Sequence, residues 1–142
     1  MKLPPFVLLL GYSGLLPFLI GPAWLTFSPG TAPQWLDFVW HGYVAMIASF
    51  MAGTFWGFAL PAVEGAAGKA GLAISVVLML LAWAAMALPF GPSLIMLAAV
   101  FGLLLVADLW RERTLDTIGG YFALRTTLTV GVVIAIAWRF AL

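Results

Sequence analysis

From Ala70 to Ala107 the chain runs 38 residues without one charged side chain, and a stretch of that length leaves few folds open. A helix crosses the hydrocarbon of a bilayer with about 20 apolar residues, so the run is too long for one span and long enough for two. The segment "LPFGPS", Leu88 to Ser93, divides it. Its Pro-Phe-Gly-Pro core stops one helix and can start the next. It reads as a tight hairpin between a span at 71–88 and a span at 93–110.

The same conversion of charge-free length into spans applies elsewhere. Leu3 to Phe27 is 25 residues without a charge, a first span at 5–27. That run exceeds the roughly 7 to 15 residues of a signal-peptide core. Pro17 and Pro22 also interrupt it, so a retained span is expected rather than cleavage at the "GTA" of Gly30 to Ala32. "SPGTAPQ", Ser28 to Gln34, is a breaker-rich loop. A second span at 38–60 begins behind Asp37, read as its N-cap, and stops before Pro61. The fifth, at 121–139, has only 13 charge-free residues, Thr126 to Trp138. Arg125 and Arg139 stand about 21 Å apart at the helical rise, and both can reach outward to cover the remaining thickness. The sequence thus predicts an all-α fold, a polytopic membrane helix bundle of five transmembrane helices forming one domain over 1–142.

Charge gives that bundle a direction. With the N-terminus in the cytoplasm, the inner segments hold Lys2, Lys69, Arg111 and Arg113, with Arg125 at the inner end of the fifth span, whereas the outer side holds only Arg139. This is the positive-inside pattern. It predicts a multi-pass protein of the bacterial inner (cytoplasmic) membrane with a cytoplasmic N-terminus. Trp24, Trp35, Trp40 and Tyr43 then form an outer aromatic belt, and Trp110 sits at the inner one. No internal repeat is visible, in contrast to many transporters.

Composition narrows function by exclusion. Hydrophobic residues make up 65% and charged residues 8%, against about a quarter charged in soluble domains. A net charge of +1 is far from the basic surface that neutralises phosphates, so nucleic acid is not an expected partner. The absence of cysteine removes disulfides, thiolate metal sites and cysteine nucleophiles. No Ser/His/Asp set, metal-ligand spacing or phosphate loop is present. The chain is therefore not expected to be an enzyme or to hold a metal or cofactor. Membrane lipids and other membrane protein subunits are the expected partners.

On the second helix Ala45, Ser49, Gly53 and Gly57 recur every four residues. Small residues let helix backbones touch in lipid, where no hydrophobic drive brings helices together. They are read as a packing seam. At 100° per residue Trp56 falls on the same side, which predicts an indole turned into the protein. The segment "FMAGTFWGFALP" around it, with "LGYSGLLPF" at Leu10 to Phe18 and "YFALRTTLT" at Tyr121 to Thr129, resembles the domain of unknown function 3429 family, which includes transmembrane protein 69. The resemblance spans almost the whole chain. It implies a small membrane fold and brings no activity. Relatives tend to carry Gly-Gly and a His or Arg just before the tryptophan, where this chain has Ala52 and Phe55.

Ionisable groups inside spans default to a functional hypothesis. Asp108 lies in the last turn of the fourth helix and Arg125 near the start of the fifth, with Trp56 at a similar depth. A cluster of Asp108, Arg125 and Trp56, with Tyr12 and Ser13 at its edge, reads either as an ion pair stapling two helices or as an anchor for a headgroup or quinone. Asp37 and His41, at i and i+4, share a face at the outer mouth of the second helix. They are a candidate outer-side proton group, or simply a solvated helix start. "RERTLD", Arg111 to Asp116, reads as a wet loop of mixed charge. Two functions follow. The first is an accessory or assembly subunit acting through helix contacts in an inner-membrane complex; the second is a binder or transporter of a lipid-like or quinone-like molecule.

Overall fold

The computed structural model describes residues 4–114 and 121–142, with the side chains of Glu112, Arg113, Thr114 and Tyr121 left aside. Lys2 and Asp116, which entered the charge reading, lie outside the described residues. Among the described residues six α-helices follow one another: α1 (Pro5–Ser13), α2 (Leu16–Phe27), α3 (Leu36–Ala59), α4 (Ala66–Ala85), α5 (Phe90–Thr114) and α6 (Tyr121–Ala141). Taken together α1 and α2 form one span, and all five spans are long and apolar enough to cross a membrane. Large apolar side chains cover the outside: Phe6, Phe27, Phe38, Met46 and Trp83 are each 68–80% exposed. In water such a surface would aggregate; in lipid it is solvated.

The first span breaks after Ser13 because Pro17 has no N–H to return to the Ser13 carbonyl, and its ring crowds that carbonyl. Pro22 repeats the defect inside α2, where it leaves the Phe18 carbonyl without its helical donor. Side chains of α3 donate to carbonyls at both breaks, to Phe18 O itself in α2 and to Gly14 O beside the first. The Trp40 indole N–H donates to Phe18 O at 2.9 Å, and the Tyr43 hydroxyl donates to Gly14 O at 2.7 Å. Gly21 makes room for this, since a Cβ there would come within 2.6 Å of the Trp40 ring. Trp40 is buried and Tyr43 half-buried, so these two are docking donors rather than members of an interfacial belt.

Several helix bounds differ from expectation for physical reasons. Asp37 lies in the first turn of α3, one residue after it starts, and caps nothing with its side chain. α4 starts at Ala66, five residues before position 71, with Lys69 exposed on its first turn. α5 starts at Phe90, because Gly91 and Pro92 are tolerated in a first turn whose N–H groups have no helical partner. It also runs past Trp110, so Arg111 is helical rather than part of a wet loop.

α3 is central and packs most extensively on α4. That interface is built from Ala48, Ala52, Phe55 and Ala59 against Gly71, Ser75, Leu78 and Ala82, all buried. The backbones come close enough that a Cβ on Gly71 would sit 2.7 Å from that of Ala59, and the Ser75 hydroxyl donates to Ala52 O at 2.5 Å. α2 leans on both α3 and α6, whereas α1 rests on α6. The bend after Ser13 thus leaves a crevice between α1 and α3.

Candidate functional site

The crevice ends at a buried charged node shared by α3, α5 and α6. Asp108 and Arg111 stand at i and i+3 on α5 and face the same way. Arg111 Nε donates to Asp108 Oδ1 at 3.3 Å, and Arg125 Nε from α6 reaches Asp108 Oδ2 at 3.1 Å. The Arg125 fork continues to α3, where Nη1 donates to Thr54 Oγ1 at 3.1 Å and Nη2 to Met51 O at 3.2 Å. Arg111 also lies over the Phe58 ring, 4.3 Å from its centroid. Asp108 and Arg111 are fully buried and Arg125 is 3% exposed. Burial of this kind is tolerable only where charges pair and hydrogen-bond.

The groove beside Arg125 has a volume of about 330 Å³. Val7, Leu10 and Gly11 of α1 form one wall, Phe50, Met51 and Thr54 of α3 the second, and Leu124, Arg125 and Leu128 of α6 the third. A second crevice of about 130 Å³ shares Leu10, Gly11, Phe50, Met51 and Leu128 with it and continues to Gly14, Leu15, Phe18, Ile47 and Val132. On α3 the joined track runs from Thr54 to Ile47, seven residues or about 10 Å. Arg125 to Val132 on α6 covers the same seven. A separate crevice of about 240 Å³ between α5 and α6, lined by Leu94, Ile95, Ala98, Val133, Ile136, Ala137 and Phe140, has no polar side chain.

At the opposite end of the bundle the same three helices meet again. Arg139 of α6 holds Asp37 of α3 with two parallel hydrogen bonds, Nε to Oδ1 at 2.9 Å and Nη2 to Oδ2 at 2.7 Å. Its guanidinium also lies 4.7 Å from the centroid of Phe90 on α5. His41 Nε2 and Ser93 Oγ of α5 are hydrogen-bonded at 2.5 Å, with the imidazole edge-on to Phe90.

Of the residues singled out from sequence, the structure brings Asp108 and Arg125 together and leaves the others apart. Trp56 is 41% exposed and points away from the node. Two residues earlier on the helix, about 200° around, Thr54 takes the place expected for it. Tyr12 is exposed, and the Ser13 hydroxyl donates to its own helix at Leu10 O. Asp37 and His41 share a face but not a partner, since Arg139 takes the carboxylate and Ser93 the imidazole.

The seam of Ala45, Ser49, Gly53 and Gly57 is also displaced. Ala45 is buried, but Gly53 and Gly57 are exposed, and a Cβ on either meets no atom within 4 Å. The small-residue contact inside the bundle is made by Ala48, Ala52 and Ala59, roughly one position around the helix. Arg111 and Arg139 were missed as partners. The i, i+3 spacing of Asp108 and Arg111 was the available signal, hidden because α5 was expected to end at Trp110. Among the described residues no group of three His, Cys, Asp or Glu gathers to hold a metal.

Five apolar spans, with a buried ionic node opening on a lateral groove, define an α-helical integral membrane protein. The chain belongs to the family described as Protein of unknown function (DUF3429), whose model matches residues 3–141. No curated protein and no solved structure matches it.

Proposed function

We propose that this protein binds a lipid-like or quinone-like amphiphile in the groove between α1, α3 and α6, with the polar head of the ligand at Arg125. One observation carries this reading: a groove of about 330 Å³, open to the side and otherwise apolar, is bordered by a guanidinium and a hydroxyl, those of Arg125 and Thr54. Ligand sites of about 300–1,000 Å³ with a few converging polar groups are the usual form of small-molecule sites. An ionisable residue at membrane depth is a functional candidate by default. The excess of Lys and Arg on the amino-terminal side supports a bacterial inner-membrane location with that end in the cytoplasm.

A test uses the protein purified in mild detergent, with bound molecules counted by native mass spectrometry. Leu10→Trp fills the groove from α1 without touching the node and is expected to empty it. Ile95→Trp fills the apolar α5/α6 crevice and is expected to change nothing. Equal occupancy in both variants would remove the groove from consideration.

An accessory or assembly role is the second reading, favoured by the outward face of α3 at Gly42, Gly53 and Gly57, where added Cβ atoms meet nothing within the chain. A stoichiometric protein partner in the same preparation, lost on Gly53→Leu, would support that role instead.

A further inference from the structure

We infer that the groove takes an uncharged, carbonyl-bearing head on an isoprenoid or alkyl tail, a quinone-type molecule, rather than an anionic phospholipid. This rests on the amphiphile-binding reading above and commits it to one occupant. The first ground is hydrogen bonding. The Arg125 guanidinium is already engaged by the Asp108 carboxylate at 3.1 Å, by Thr54 Oγ1 and by Met51 O, so what it presents to the groove is hydrogen-bond donation rather than an open counter-charge. A carbonyl oxygen accepts from a guanidinium without bringing a charge of its own.

Depth is the second ground. Arg125 bonds α3 at Met51 and Thr54, and from Thr54 to the end of α3 at Ala59 is five residues, about 8 Å. A phosphate belongs in the headgroup layer beyond the helix end, outside the roughly 30 Å hydrocarbon core. To reach Arg125 it would have to be drawn about one and a half turns inward. A quinone head is neutral and dissolves at that depth.

Shape is the third. From Arg125 the track leads past Leu10, Phe50 and Leu128 toward Phe18 and Val132, deeper into the bundle. It is a single furrow, suited to one tail rather than two.

The experiment titrates decylubiquinone and, separately, phosphatidylglycerol onto delipidated protein, reading adducts by native mass spectrometry. For wild type one decylubiquinone is expected, weakened roughly ten-fold or more in Arg125→Gln through loss of a charge-assisted donor and by a similar factor in Leu10→Trp, with Ile95→Trp unchanged. Leu10→Trp leaves the ionic node intact, so the result does not hang on Arg125→Gln folding. If phosphatidylglycerol binds and Leu10→Trp abolishes it while decylubiquinone does not bind, the choice of head is wrong and the amphiphile reading survives. If neither binds with sensitivity to Leu10→Trp, both fail.

Discussion

The two ends of the bundle make the same connection with different surroundings. At each end an arginine of α6 pairs with an aspartate of a neighbouring helix: Arg125 with Asp108, and Arg139 with Asp37. The first pair is sealed, with side chains 3% and 0% exposed, whereas the second is 17% and 43% exposed. Geometry favours the second, with two short parallel contacts of 2.7 and 2.9 Å. Environment decides the energy, however. A half-exposed pair is screened and has little to lose, while a sealed pair leaves an uncompensated charge when one member goes. The sealed end borders the groove that Arg125 lines.

Stability measured by unfolding in mixed micelles should separate the two ends. The largest loss is expected for Asp108→Asn, about 3–5 kcal/mol, because it strands the buried Arg111 and Arg125 together; Arg125→Gln, which leaves Asp108 its bond from Arg111, should cost less. Losses under about 1 kcal/mol would mean that water reaches the node. Next comes Trp40→Phe, which keeps the ring but withdraws the N–H from Phe18 O. The carbonyl orphaned by Pro22 then has no donor, and about 1–3 kcal/mol is expected. A Trp40→Phe protein as stable as wild type would show that α2 does not depend on this bond.

Smaller effects belong to the exposed surfaces. Asp37→Asn should cost about 1 kcal/mol or less, and raising the salt concentration should shrink the difference further. A loss equal to that of Asp108→Asn would erase the contrast between the ends. Smallest of all, Gly53→Leu should stay within about 0.5 kcal/mol of wild type, because a Cβ there meets nothing within 4 Å. A large loss would mean that the face is covered, by a second copy or another protein.

These contrasts also show what could be read from the sequence. Charge-free length revealed five spans because hydrocarbon tolerates so few charges, and that constraint acts on the sequence directly. Facing was not legible. The relative phase of Gly53, Trp56 and Gly57 followed from helix geometry, and all three do lie on one side. Which way that side turns could not be read, since lipid and bundle interior are both apolar. Placing Asp108 near Arg125 needed only their positions at adjoining helix ends. Replacing Trp56 by Thr54 at the node needed the absolute rotation of α3. From sequence Arg139 reads as reaching for the membrane surface, because no local pattern ties it to Asp37, 102 residues away.

Arg125 ties the bundle and, in the function proposed above, also holds the ligand; the double variant Asp108→Asn with Arg125→Gln separates the two roles. Unfolding in micelles and the count of bound amphiphile would be measured on the same preparations of wild type, both singles and the double. Asp108→Asn strands two buried arginines, whereas the double variant strands Arg111 alone, so the double is expected to be more stable than Asp108→Asn, yet to remain as empty of ligand as Arg125→Gln. A double variant that recovers stability and also carries ligand at the wild-type level would contradict the claim and leave Arg125 as a structural tie alone.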